Sequence, residues 1–232
     1  MNLIKPNFWK NNNLVVYLIW PLTLITRLII KIQRIKKSLP TKVRSICVGN
    51  IYLGGTGKTQ LVIKINELLK KKYKVHTIKK NYKNQIDEQK LLKKRTNLII
   101  SNNRLEGVKK IKFSKKNIAL FDDGLQDKSI KYDLSIVCFS SFSSIGNGHI
   151  LPAGPLREDL SRLKHYDGVF INGKKNTELE KTIKKFNNQI KIFNGKYVLK
   201  NKNDFNSNFK YLAFCGIGTP ENFFNLLKQN NI

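Results

Sequence analysis

Six consecutive residues, Gly54-Gly55-Thr56-Gly57-Lys58-Thr59, constrain this chain more than anything else in it. They follow a short apolar run at 43–48 and open a stretch, 59–71, in which Leu61, Ile65, Leu68 and Leu69 recur at helical spacing. Strand, glycine-rich turn and helix in that order is the setting in which such a loop binds phosphate. Backbone N–H groups converge on the phosphate oxygens, and the helix N-terminus adds the positive end of its dipole. Tyr52, Leu53, Gly54, Gly55, Thr56, Gly57, Lys58 and Thr59 are therefore expected to form a nucleotide-binding loop. Lys58 would reach the β- and γ-phosphates of ATP, and the Thr59 hydroxyl would ligate Mg²⁺. The usual G-x-x-x-x-G-K-T spacing asks for glycine at position 52, where this chain has Tyr52.

The rest of the chain after Pro40 repeats the same texture. Apolar runs at 74–79, 97–101, 117–121, 134–139, 168–172 and 211–215 read as strands, separated by polar, helix-like segments. The alternation predicts an α/β fold: a P-loop NTPase-like, mostly parallel sheet flanked by helices. The Lys/Asn-rich stretch 174–208 reads as the most linker-like region. The run at 117–121 ends in Asp122-Asp123-Gly124-Leu125-Gln126, which puts two carboxylates at the carboxyl edge of a strand, where ligands of such sheets sit.

Residues 14–30 are apolar except for Thr23, Thr26 and Arg27, with Pro21 in the middle, and fall short of the roughly 20 residues that a spanning helix needs. Bases on both sides (Lys5, Lys10; Lys31, Arg34, Lys36, Lys37) and the aromatics Phe8, Trp9, Tyr17 and Trp20 suit an interfacial or membrane-dipping helix at headgroup level. A true span or a core helix are the alternatives. Lys and Arg number 44 against 15 Asp and Glu, a net charge of +29 that would attract any polyanion. No RNA- or DNA-binding signature accompanies it, so no nucleic-acid partner is expected. Cys47, Cys138 and Cys215 lie far apart in apolar runs and read as small buried hydrophobes. His76, His149 and His165 are too scattered for a zinc motif.

Taken together, Val48-Gly-Asn-Ile-Tyr-Leu-Gly-Gly-Thr-Gly-Lys-Thr59, Asp122-Asp-Gly-Leu-Gln126, Gly146-Asn-Gly148, Leu151-Pro-Ala-Gly-Pro-Leu-Arg-Glu158 and Gly216-Ile-Gly218 resemble the tetraacyldisaccharide 4'-kinases in order and spacing. In that family the loop lacks the first glycine, so Tyr52 fits the resemblance. It implies transfer of the ATP γ-phosphate to the 4'-hydroxyl of an acylated disaccharide 1-phosphate lipid, at the cytoplasmic face of the inner membrane. It also implies an N-terminal membrane-docking helix (1–40), a kinase domain (41–205) and the start of a second lobe (206–232). By the same resemblance Lys58, Asp123 and Arg157 act in catalysis. Thr59, Asp122 and Glu158 hold Mg²⁺ or its surroundings, and Asp87, in the segment Ile86-Asp87-Glu88-Gln89, is the general base.

The chain also departs from the family. The family's Ser-Arg-Gly-Tyr-Gly run is Lys79-Lys80-Asn81-Tyr82-Lys83 here, and Asp127 stands in place of a histidine. Arg104 stands where a phosphate-contacting arginine is expected. Family members continue past Gly216-Ile-Gly218 into a lobe with an Asp-His-His motif, whereas this chain ends at Ile232. The expectation is therefore a shortened kinase, with a catalytically impaired relative that binds ATP or membrane as the alternative. Asn201-Lys202-Asn203-Asp204 matches the guanine-reading N-K-x-D pattern and makes a P-loop GTPase the remaining rival.

Overall fold

The computed structural model describes residues 5–33, 35, 38–82, 85–199, 201–206, 209–216 and 220–232. In chain order its elements are α1 (Leu14–Ile19), α2 (Leu22–Gln33), β1 (Leu39–Pro40), β2 (Arg44–Gly49), α3 (Lys58–Leu69), β3 (Lys74–Lys80), α4 (Ile86–Arg95) and β4 (Leu98–Ser101). There follow α5 (Arg104–Lys109), β5 (Asn117–Asp122), β6 (Ile130–Lys131), β7 (Leu134–Ser140), β8 (Gly168–Asn172), α6 (Thr177–Phe186), β9 (Lys191–Gly195) and α7 (Pro220–Lys228).

Seven strands form one sheet in the order β4-β3-β5-β2-β7-β8-β9, and every neighbouring pair is parallel. β1 and β6 make a separate two-stranded parallel pair. Central parallel strands are covered on both faces, which is why 117–121 and 134–139 are continuous apolar runs rather than alternating ones. Leu120, Phe121, Val137 and Phe139 are fully buried there. From β2 the chain builds to one side through β3, β4 and β5 and then to the other through β7, β8 and β9. The sheet thus changes direction beside β2, and the crevice at the carboxyl ends of the strands opens at the glycine-rich loop.

Two expectations are overturned. Within 174–208, residues 177–195 are no linker: they carry α6 and β9. Leu179 and Ile183, four apart on one face of α6, are buried, and Asn176 caps the helix by accepting from the Leu179 N–H at 2.9 Å. The abundance of Lys and Asn hid this sparse apolar stripe. Leu179→Ala is expected to destabilise the domain by about 2–5 kcal/mol, read as a lower denaturant midpoint at unchanged slope. A linker would show no change. Residues 211–215, in turn, form no strand. Leu212 and Phe214 are strongly exposed and the segment runs extended without a ladder partner among the described residues.

The apolar stretch 14–30 is split at Trp20-Pro21 into α1 and α2, since proline cannot supply an interior helix N–H. Among the described residues no helix is long and apolar enough to cross a membrane. Val16 and Thr23 face inward, while Leu14, Tyr17, Leu18, Ile25 and Leu28 are exposed. Arg34, Lys36 and Lys37 of the basic flank lie outside the described residues, as do Lys83 and residues 217–219 of the glycine turn.

Candidate active site

The loop after β2 is held from beneath by one side chain. Asn50, fully buried, donates from Nδ2 to the carbonyls of Tyr52 (2.6 Å) and Gly54 (3.1 Å), while its own carbonyl accepts from Gln126 Nε2 at 3.0 Å. A second brace comes from the segment around the Leu-Pro-Ala-Gly-Pro-Leu-Arg-Glu run. Tyr52 bridges Leu156 in antiparallel fashion, the Leu53 N–H donates to Pro155 O (2.8 Å) and the Arg157 N–H to Ile51 O (2.7 Å). That segment also grips the N-terminus. Trp9 Nε1 donates to Pro152 O at 3.0 Å, and Asn147 Nδ2 donates to Phe8 O at 3.0 Å and Ala153 O at 2.8 Å. The two motifs without obvious chemistry thus tie the segment before α1 to the phosphate loop.

Gly57 takes φ +83°, and a Cβ there would come 2.4 Å from Asn172 Nδ2, so both backbone and space demand glycine. Lys58 and Thr59 begin α3 and are largely buried beneath the loop. Opposite them β5 ends in Asp122, fully buried, followed by Asp123 at φ +56°, a left-handed conformation that aspartate tolerates better than most residues. This turn points the two neighbouring carboxylates in different directions. Arg157 Nη1 donates to Asp123 Oδ1 at 3.1 Å and Oδ2 at 3.3 Å. Burial alone would raise the Asp123 carboxyl, but Lys58, Arg157 and Arg104 outweigh it and hold it below the usual carboxylate value.

A depressed native value has a definite sign. The stability that Asp123 contributes is complete above the unfolded value, about pH 4, and is lost as pH falls through the lower native one. Asp123→Asn should therefore lie furthest below the wild type in thermal stability at neutral pH. The gap should close in strong acid, as pH titrations of melting would show.

The cleft above the loop has a volume of about 500 Å³, and Lys58, Thr59, Asp87, Glu88 and Asn172 are among its lining residues. Asp87, exposed in the first turn of α4, therefore shares one cleft with the loop. The remaining expected residues fall elsewhere. Glu158 is buried and engaged by Lys128 (3.4 Å), Tyr166 Oη (3.2 Å) and Arg162 (3.4 Å), so its carboxylate fastens the 158–166 segment instead of facing a metal. Arg104 is buried with its guanidinium donating to the Asp123 carbonyl and pairing with Asp127 at 3.4 Å, under the aspartate turn rather than facing phosphate. Asp127 in turn accepts from the Ser129 hydroxyl at 2.6 Å. Asn203 and Asp204 lie exposed in a short 3-10 turn, with Asn201 exposed just before it. Cys47 and Cys138 are free and buried, and burial pushes the Cys47 thiol up to about 12, which leaves no reactive thiolate there.

Sequence reading passed over Lys79. It ends β3 fully buried, its Nζ 2.6 Å from Asp122 Oδ2 and 2.7 Å from Glu88 Oε2. In the sequence it shows only as a lysine near the end of an apolar strand, opening the run that departs from the family pattern. Burial opposes its charge, yet Asp122 and Glu88 prevail and hold the ammonium above its usual value. The other Asp122 oxygen, Oδ1, is buried with no partner, as is Thr56 Oγ1. An orphaned carboxylate oxygen on a strand-end aspartate that Lys58 of the loop acts on electrostatically fits Mg²⁺, which takes one or two protein oxygens and completes its shell with phosphate and water. No cluster of three acidic, histidine or cysteine side chains able to hold a metal occurs among the described residues.

Residues 15–232 match the family model described as Tetraacyldisaccharide-1-P 4'-kinase. The chain belongs to this family. A tetraacyldisaccharide 4'-kinase of Pelagibacter ubique (strain HTCC1062) is 45% identical over 237 residues, covering 100% of this chain and 76% of the relative. One from Rickettsia akari (strain Hartford) is 32% identical and covers 99% of this chain and 75% of the relative. The crystal structure of LpxK from Aquifex aeolicus in complex with ATP shares the fold, with a TM-score of 0.66 at 22% identity over 94% of this chain and 79% of that one.

Proposed function

We propose that this chain transfers the γ-phosphate of ATP to the 4'-hydroxyl of a tetraacylated disaccharide 1-phosphate in lipid A biosynthesis. The observation that carries the reading is a single cleft lined by the phosphate loop, with Lys58 and Thr59, and by Asp87. Phosphoryl transfer asks for positioning and charge neutralisation more than for covalent chemistry. The loop N–H groups and Lys58 hold the phosphate chain. Thr59 and Asp122 Oδ1 would hold Mg²⁺, which supplies charge neutralisation across the β- and γ-phosphates. Asp87 accepts the proton of the 4'-hydroxyl as that oxygen bonds to the γ-phosphorus and the bond to the β,γ-bridging oxygen breaks, leaving ADP. Arg157, fixed by Asp123, lies on the clamp segment beside the loop and adds positive charge there.

The split apolar helices are read as the docking element for the cytoplasmic face of the inner membrane. Their exposed face, with Leu14, Leu18, Ile25 and Leu28, is supported by the basic chain around it. Acyl chains would then stay in the bilayer while the sugar reaches the cleft. Leu18→Glu with Ile25→Glu should abolish co-flotation with anionic phospholipid vesicles; undiminished flotation would remove these helices from the membrane reading.

The deciding assay is transfer of ³²P from [γ-³²P]ATP with Mg²⁺ to the disaccharide lipid dispersed in detergent. A labelled 4'-phosphate product is expected. Folded, ATP-binding protein that yields none would overturn the reading.

A further inference from the structure

A lysine with no exposed surface is costly unless it is fully paired, and an apolar pair of similar volume would commonly serve a core as well or better. Lys79 sits in no ordinary part of the core. It lies at the carboxyl end of β3, in register with Asp122 of β5, at the edge where the phosphate loop lies. Its ammonium spans two elements that the chain separates: Asp122, at the end of a rigid central strand, and Glu88, in the first turn of α4. Glu88 is partly exposed, with 39% of its side chain accessible, so its carboxylate had the choice of solvent and is instead held at 2.7 Å.

Among the described residues, the first turn of α4 is otherwise held by hydrogen bonds to the Tyr82 carbonyl, from the Gln85 N–H at 3.1 Å and from Gln89 Nε2 at 3.0 Å. The N-cap residue, Gln85, makes no side-chain cap hydrogen bond, and Ile86 is 55% exposed. Leu92, one and a half turns on, is the buried residue of this helix. The bonds to Tyr82 reach only the residue just past β3; among the described residues, Lys79–Glu88 is the ion pair that ties the turn carrying Asp87 to the sheet itself.

We propose that Lys79 is a positioning residue for the transfer reaction: through Glu88 it fastens the first turn of α4 to the Asp122 edge and so holds Asp87 over the phosphate loop. This rests on the reading of Asp87 as the general base. A misplacement of about 1 Å in such a group is enough to cost on the order of a hundredfold in rate. The phosphate loop is carried by β2 and α3, neither of which the Lys79–Glu88 contact joins.

The test uses Glu88→Gln, which replaces the ion pair by at most a neutral amide–ammonium contact and keeps the buried Lys79–Asp122 pair, with Lys79→Met and the double variant beside it. Rates and KM for ATP are measured together with hydrogen–deuterium exchange. In Glu88→Gln, kcat is expected to fall about 10- to 100-fold, the range for removal of a supporting contact, while KM for ATP stays within about threefold. Exchange should quicken in 86–92 and stay unchanged in 117–122. The double variant should be no slower than the slower single variant, since one link can be cut only once. If Lys79→Met does not fold, Glu88→Gln decides alone. Unchanged exchange in 86–92, or faster exchange with an unaltered kcat while Asp87→Asn is inactive, overturns the positioning role and leaves the base standing. An active Asp87→Asn would instead remove the base reading, and faster exchange in Glu88→Gln would still establish the tie.

Discussion

Lys58→Ala is expected to abolish measurable phosphate transfer, with kcat/KM lower by about 10²–10³-fold or more, the magnitude seen when one preorganised charge-stabilising donor is removed from a closed site. The argument is geometric. Lys58 is the first residue of α3, is largely buried, and stands close enough to Asp122 and Asp123 to act electrostatically on both. In the transition state negative charge spreads over the γ-phosphoryl oxygens, and loop N–H groups alone are partial charges against it. Alanine keeps the helix start and fills no new space, so the variant should unfold cooperatively like the wild type. Transfer assays with cooperative thermal melting as a control measure this. Retained activity in a folded Lys58→Ala protein would mean that the glycine loop does not bind the reacting phosphates.

Asp87→Asn should leave the nucleotide in place and remove the proton acceptor. General bases contribute about 10²–10⁴-fold, so kcat is expected to drop by that order with KM for ATP little changed. Stability should scarcely move. Asp87 is exposed, asparagine has the same shape, and the lost attraction to the helix dipole is at most about 1 kcal/mol. Single-turnover transfer separates the chemical step from product release. A rate near that of the wild type would sink Asp87 as the base and turn attention to Glu88, its neighbour in the same cleft.

The two variants probe parts of the site that were unequally visible in the chain. The loop was legible because it is local. A strand, a turn that only glycine can make at Gly57 and a helix N-terminus follow one another within a few residues, so backbone chemistry alone defines the phosphate site. The parallel sheet was legible for a related reason: continuous apolar runs such as 117–121 must be covered on both faces. Asp87 was reached only through family resemblance, since an acid in the first turn of a helix is an ordinary feature.

The misses have a physical cause in common. In 174–208 the apolar stripe of Leu179 and Ile183 is thin, and a charged composition masked it. In 211–215 the composition is that of a strand, but pairing requires a neighbouring edge, and no residue pattern within the segment reports whether one exists. Glu158 was placed by the family resemblance alone; its side chain is held by Lys128, from a distant part of the chain, and by Arg162 and Tyr166 of its own segment.

By itself, then, the sequence determined the phosphate-binding loop, the class of sheet that carries it and the apolar character of 14–30, all set by hydrogen bonding and periodicity between near neighbours. Tertiary structure decided which charges meet. Lys79 and Asp122 are brought side by side only because β5 inserts between β3 and β2, and Trp9 reaches Pro152 only because the N-terminus folds back on the clamp. Charge pairing acts over a few ångströms of space whatever the separation along the chain, so it becomes readable only once the strand order is known.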